Sequence, residues 1–334
     1  MKRQRIAIAC IWGGALLLAL AGAVAISAGV ADIADQAGQK ILPALRASDL
    51  LVVAGQEAEI SASLGTGLRK EGLAGKRIRS FLGEQMLGEA ATDGAGTAML
   101  RWKVPEKPAD YHVRATLSPA DQSQEKVADA DIFVAARAKD ATLVVVDLDR
   151  TVVQSGFFSV LVGTAKPMPG AAVVLGRLAK DSTIVYLTHR PDFLAPTSKR
   201  WLTENGFPPG PVLTSTMTTL LGGSEPYKMA RLAAVKKRFP NIIVGIGDKM
   251  SDAKVYADSG VRPVLMFQPD WSEDDPKKFE KLADDLAALP GSVQVVSNWQ
   301  QIAAVCFEKA VFLKRDMEKR LRDTAAELRR KGKD

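Results

Sequence analysis

The 334-residue sequence predicts an α/β protein: a parallel sheet with helices on both faces, preceded by an all-β sandwich and an N-terminal apolar helix. Three observations carry this reading. From Ala141 onward, apolar runs (TLVVVDL, STIVYLT, NIIVGIG, VRPVLMF, SVQVVSN) alternate with helical patterns (GAAVVLGRLAK, TSKRWLTENG, YKMARLAAVKKRF, DAKVYADSG, PKKFEKLADDLAAL). Strands that are apolar on both faces and joined by helices belong to a parallel sheet covered on both sides. Between Ser48 and Arg137 the period changes to two, in EAEISASL, KRIRSFL, TAMLRWKV and YHVRATL, with turn stretches TDGAGT and VPEKPAD between them. Short alternating strands at that spacing predict a β-sandwich. The third observation is an uncharged run, Ile6 to Ala31, behind Lys2, Arg3 and Arg5.

In chain order the first element is that run, residues 1–31. As a helix it would extend ~39 Å at 1.5 Å per residue, enough to cross a bilayer with tilt. The basic residues ahead of it predict a cytoplasmic N-terminus and an exported remainder. It reads as a signal anchor, with a cleavable signal peptide as the alternative; small residues such as Ala23-Val24-Ala25 offer a cleavage site. Either way the body is expected outside the cytoplasm, anchored and facing the periplasm or exterior, or secreted after cleavage. Two cysteines, Cys10 and Cys306, make no disulfide framework.

The sandwich, residues 48–137, resembles bacterial immunoglobulin-like and macroglobulin-like modules in its TDGAGTA hairpin, its Pro-rich turn and its Tyr-containing strand. Trp102 and Tyr111 are expected to pack, and His112 receives no role. The α/β domain is expected over residues 141–300. From Trp299 the apolar positions Ile302, Val305, Phe312 or Leu313, Met317, Leu321 and Leu328 predict one long helix, basic towards its end (301–334). Its charged face is either solvated or docks on an acidic membrane surface. The net charge of +7 favours anionic partners in general.

The chemistry concentrates at the strand ends. An open parallel sheet binds ligands at the carboxyl ends of its strands. Asp147 and Asp149 end the first strand (VVVDLDRT), Thr188 the second (IVYLTHRP) and Asp248 the third (IIVGIGDKMSD), with Asp252 four residues on. Lys228 opens a helix just before that third strand (SEPYKMARL). A phosphoryl group needs its charge neutralised and a nucleophile held in line. A carboxylate can attack phosphorus, and a second acid can protonate the leaving oxygen and then activate water. Several Asp residues at one point repel unless a hard cation sits among them, and Mg²⁺ suits oxygen ligands. Thr188 offers a hydroxyl and Lys228 a positive charge to the phosphate. Arg150, His189 and Arg190 stand beside the expected phosphate position as candidate substrate contacts, with packing as their alternative role.

The four motifs DLDRT, YLTHRP, EPYK and GDKMSD, in this order, resemble those of the haloacid-dehalogenase-like (HAD) phosphatase superfamily. The intervening segments, IVYLTHRPDFLAPTSKRWLTENGFPPGPVL and EPYKMARLAAVKKRFPN among them, look like the catalytic domain of lipin-type phosphatidate phosphatases over about Ala141 to Phe267. The resemblance implies a HAD-like Rossmannoid sheet with Asp147 as nucleophile and Asp149 as acid/base. It also implies phosphate binding by Thr188 and Lys228. Mg²⁺ would be held by Asp147, Asp149 through its backbone carbonyl, and Asp248, with Asp252 at the metal or orienting Lys228. Three departures stand out: Arg150 occupies a position usually Gly or Asp, Asp248 one where lipins carry Asn, and a β-sandwich replaces the amino-terminal lipin domain.

About 36 residues separate Thr151 from Thr188 and about 39 separate Thr188 from Lys228, with no room for a cap domain in either interval. An open site admits a phosphate carried on something bulky. The expected function is therefore Mg²⁺-dependent phosphomonoester hydrolysis through an aspartyl-phosphate, with phosphatidate as substrate and a membrane as the setting. No nucleic acid partner is expected. The alternatives are the same chemistry on a non-lipid phosphomonoester, and a catalytically silent surface binding or adhesion protein.

Overall fold

The computed structural model describes residues 43–66, 71–122, 127–156, 159 and 163–331. The expected N-terminal anchor or signal peptide, residues 1–31, lies outside the described residues. Among those described, no helix is long and apolar enough to cross a membrane.

The sandwich begins at β1 (Pro43–Ala47), five residues before the boundary expected from the pattern. One sheet holds β1, β3 (Glu57–Thr66), β4 (Glu71–Gly72) and β7 (Thr97–Lys103); β3 pairs antiparallel with the other three. The other runs in the order β2 (Leu50–Val53), β9 (Ala130–Arg137), β8 (Ala109–Leu117), β5 (Arg77–Leu82) and β6 (Gln85–Ala91). Alternation works as expected in β3, where Ala58, Ile60, Ala62 and Leu64 all point into the sandwich core. Trp102 is buried there, edge-on to Tyr111, whose hydroxyl donates to the Lys107 carbonyl at 2.8 Å. His112 is exposed and lies 3.3 Å from Asp131.

β9 breaks the alternation because it has a core on each side. Ile132, Val134 and Ala136 face the sandwich core, whereas Phe133 and Ala135 join Leu51 of β2 in a second core with the α/β domain. The two units are fused rather than tethered. Asp49, buried between them, accepts from the backbone N–H groups of Phe133 and Val212 and from Lys199 Nζ, each at 2.9 Å.

The α/β domain is a six-stranded, fully parallel sheet in the order β12 (Val212–Ser215), β11 (Thr183–Pro191), β10 (Leu143–Val146), β13 (Ile242–Gly247), β14 (Pro263–Met266), β15 (Gln294–Val296). The β10 side chains divide between two faces. Val144 and Val146 meet α1 (Ala171–Leu178) and α7 (Trp299–Phe307), while Leu143 and Val145 meet α4 (Ser224–Arg238) and α5 (Met250–Asp258). The remaining helices are α2 (Ala195–Glu204), the short α3 (Met217–Leu221), α6 (Pro276–Ala287) and α8 (Lys314–Lys331).

The single C-terminal helix expected from the periodicity is divided into α7 and α8. The chain turns at Lys309, which takes a left-handed φ of 58°. The connecting segment is held on the sheet edge, where Phe312 N–H donates to Gln294 Oε1 and Val295 N–H to the Phe312 carbonyl. Helix α8 then packs Leu321 and Ala325 against Phe279, Ala283 and Leu286 of α6. Its arginines are partly occupied: Arg322 pairs with Asp284, Arg329 with Glu280, and Arg320 lies over the Trp271 ring.

Candidate active site

The strand order reverses between β10 and β13, and a doubly wound sheet opens a crevice at that switch point. Asp147 follows β10 and Asp248 follows β13, one on each side of it. The Asp147 N–H donates to the Ile246 carbonyl at 2.9 Å, which locks the two strand ends together. Beyond Asp147 the chain closes a tight loop, with the N–H groups of Val152 and Val153 both donating to the Leu148 carbonyl at 2.9 Å. Arg150 takes a φ of 54° in this loop, the conformation for which Gly is usual.

Lys228, on α4, is fully buried and reaches Asp147 Oδ1 at 2.9 Å and Asp252 Oδ1 at 2.8 Å. Burial opposes its charge, but Asp147 and Asp252 outweigh that effect and hold its pKa above the usual lysine value. The Asp252 contact is a hydrogen bond and the Asp147 contact an ion pair. Glycine makes the α5 side of the crevice possible. A Cβ on Gly247 would lie 2.7 Å from both Cβ and Oδ2 of Asp252, and one on Gly245 would lie 2.3 Å from the Tyr256 ring.

Asp147, Asp248 and Asp252 each bring a carboxylate oxygen into a group whose members lie within 4.8 Å of one another. Asp248 Oδ1 and Asp252 Oδ2 are buried without a hydrogen-bond partner. Burial first, then the neighbouring Asp147 and Asp252 charges, pushes the Asp248 carboxyl up to about 8. Burial also raises Asp252, partly offset by Lys228. With all three acids ionised, the single ammonium of Lys228 would leave two negative charges uncompensated, which is why the metal-free cluster holds a proton on Asp248. A divalent cation would balance them and occupy the orphaned oxygens, so the residues present fit a hard metal ion such as Mg²⁺.

The other expected residues lie on the loop after β10 and on β11. Thr188 is buried within β11, which continues to Pro191 rather than ending at the threonine, and its Oγ1 accepts from the Arg190 N–H at 3.3 Å. The Asp149 carboxylate lies apart from the three-acid group and is gripped by the Arg190 guanidinium. His189 has a ring nitrogen 3.5 Å from the Thr219 carbonyl on α3. Burial, reinforced by Lys249 and Lys228, lowers its pKa and favours the neutral ring. Arg150 is exposed.

Two supports were invisible in the sequence. Trp299, fully buried at the start of α7, donates from its indole to the Thr151 carbonyl at 2.8 Å and ties α7 to the loop carrying Asp147 and Asp149. Ser198 on α2 accepts from Arg190 Nη1 at 2.9 Å. The repeated Gly of GIGD, alternating on a buried strand, was the one signal that could have announced the close approach of α5.

Fold and site together define a class: a doubly wound α/β domain with an acid-and-lysine cluster at its switch point. Residues 144–268, a little over a third of the chain, match the family model of the PITM 1-3 LNS2 domain. No curated protein matches the chain. Among solved structures, the N-terminal Ig1-2 module of the Drosophila receptor protein tyrosine phosphatase DLAR is 14% identical. That match covers 33% of this chain and 63% of that one at a TM-score of 0.23. The Pnkp1/Rnl/Hen1 RNA repair complex is 12% identical, with 40% and 45% covered and a TM-score of 0.36. A putative membrane anchored protein from Corynebacterium diphtheriae is 8% identical, with 30% and 22% covered and a TM-score of 0.23. This chain spans less than two thirds of each of the three. The strand order and site geometry stand independently of these distant likenesses.

Proposed function

We propose that this protein is a Mg²⁺-dependent phosphomonoester hydrolase that works through an aspartyl-phosphate on Asp147, with phosphatidate as its substrate. The observation that carries the proposal is the convergence of Asp147, Asp248 and Asp252 at the sheet's switch point, with the buried Lys228 paired to Asp147 and Asp252. The LNS2 match over the same segment supports it.

In this reading an Asp147 carboxylate oxygen attacks phosphorus, the bond to the leaving oxygen breaks, and Asp149 supplies the proton that makes the alcohol. Asp149 then takes a proton from the water that cleaves the phospho-Asp147 bond. Lys228 and Thr188 hold the non-bridging oxygens. Mg²⁺, held by Asp147, Asp248 and Asp252, would neutralise charge on the phosphoryl group.

The lipid part of the proposal rests on access. Between Thr151 and Thr188 the described residues form loop, α1 and β11. Ser159 is helical there as well, and between Thr188 and Lys228 they add the rest of β11, a short turn, α2, β12, α3 and the start of α4, so among the described residues no folded insert covers the site. At the same rim Leu221 of α3 is 85% exposed, two residues beyond the carbonyl that His189 meets. The run Ile6–Ala31 would place the site beside a bilayer on the exported side.

The test is phosphate release by the full-length chain in detergent, with and without Mg²⁺. Phosphatidate in mixed micelles is compared with p-nitrophenyl phosphate, and Asp147→Asn is the control. Mg²⁺-dependent release from phosphatidate that vanishes in the variant supports the whole proposal. Release from the aryl phosphate alone keeps the hydrolase and removes the lipid. Mg²⁺ binding with no release from either leaves the catalytically silent surface binding or adhesion protein.

A further inference from the structure

Asp149 is not free at the rim. The Arg190 side chain, 2% exposed, meets it with two N–H bonds, Nη2 to Oδ1 at 2.7 Å and Nε to Oδ2 at 3.1 Å. Its remaining terminal nitrogen, Nη1, donates to Ser198 Oγ on α2 at 2.9 Å. The main chain of Arg190 is pinned as well: its N–H donates to Thr188 Oγ1, and its carbonyl accepts from Ser215 Oγ at 3.1 Å. A guanidinium fork on a carboxylate fixes the plane and rotation of the carboxyl group, which a lysine in the same place cannot do. Each carboxylate oxygen keeps a second lone pair, and Asp149 remains 23% exposed, so the fork leaves it accessible from solvent.

We infer that Arg190 is a positioning residue which, braced by Ser198, sets the direction in which Asp149 presents its carboxyl to the oxygen leaving phosphorus. This inference rests on the phosphatase reading and deepens it. It assigns the guanidinium to Asp149 rather than to the phosphate.

The step fixes the readout. As the Asp147 oxygen bonds to phosphorus, the leaving oxygen keeps the electron pair of the broken P–O bond and takes the Asp149 proton. An alkoxide cannot depart without that proton, whereas a nitrophenolate can. Because kcat/KM reads only as far as this first departure, it isolates the proton donor from the later attack of water.

The experiment measures kcat/KM of the full-length protein for phosphatidate and for p-nitrophenyl phosphate in the same Mg²⁺-containing micelles. Arg190→Gln, Ser198→Ala, Asp149→Asn and the double variant Arg190→Gln/Asp149→Asn are compared, with thermal unfolding checked for each. Arg190→Gln is expected to lower the phosphatidate value about 100-fold and the nitrophenyl value about 3-fold, in the range of general acid catalysis. Asp149→Asn should show the same split, and adding Arg190→Gln to it should cost little more, because the two act as one unit. Ser198→Ala should show a smaller loss with the same split, and it decides the matter if Arg190→Gln fails to fold. Equal losses on both substrates would overturn the inference, as would a large Arg190→Gln effect that persists without Asp149. A wild-type protein that releases phosphate from neither substrate overturns the phosphatase reading, and this inference with it.

Discussion

Asp248 lies against Asp147 and Asp252 with its carboxyl pushed up to about 8, against 3.8 for the ordinary group. Between those values the folded, metal-free protein keeps a proton that the unfolded chain releases. The stability this gives is present at low pH and is lost as pH rises through about 8, with a slope of at most about 1.4 kcal/mol per pH unit. Metal binding has the opposite sign, because it requires the deprotonated acid. Chelator-treated protein should therefore lose Tm between pH 6 and pH 8.5, while the upward shift on adding Mg²⁺ grows over the same interval. A Tm shift with Mg²⁺ that does not change with pH would remove Asp248 from the metal site. At this scale the sequence was most informative where chemistry dictates residue type. Acids at two strand ends and a lysine near a helix start come together once the sheet forms, whereas Thr188 lies inside β11. The grip of Arg190 on Asp149 was not legible, because it joins residues 41 positions apart and depends on rotamers that Ser198 fixes.

Among the elements, the packing of α5 on β13 sets how closely the acids approach. Gly247→Ala would bring a methyl group to 2.7 Å from Asp252 Cβ and Oδ2, so the Asp252 side chain must move from its present place beside Lys228. Overpacking of this kind costs about 1–3 kcal/mol. The expected outcome is a lower chemical-unfolding midpoint together with loss of the Mg²⁺-dependent rise in Tm. Retention of the full Mg²⁺ response would show that Asp252 is not a ligand. The strands and helices of the α/β domain were legible because β10 and its neighbours are apolar on both faces. The break between α7 and α8 was not. The apolar spacing continues across residues 308–313, and the turn is imposed by Lys309 and by hydrogen bonds to the β15 edge, which periodicity does not register.

For the molecule as a whole, the join between sandwich and α/β domain is the determining feature. Asp49→Ala removes the acceptor for two buried backbone N–H groups and one of the two acidic partners of Lys199. A buried unsatisfied donor costs about 1–3 kcal/mol, and both lie at the join. Calorimetry should show one cooperative transition for the wild type and two for the variant; a single unchanged transition would mean that the shared core alone couples the units. The sequence pattern located both units but not their fusion, because an unbroken run such as IFVAA in β9 looks like an ordinary strand until a second core is placed behind it.

That double-faced strand also bears on ancestry and engineering. Leu51, Phe133 and Ala135 fill the interior against which Leu143, Val145 and Tyr227 close. A catalytic fragment cut near residue 140 would be born with an apolar wound where its own interior should be, and a transplanted sandwich would bring the wrong lining. In related chains, then, these six positions are expected to have changed in concert, and recombination is expected to have moved the two units as a single cassette.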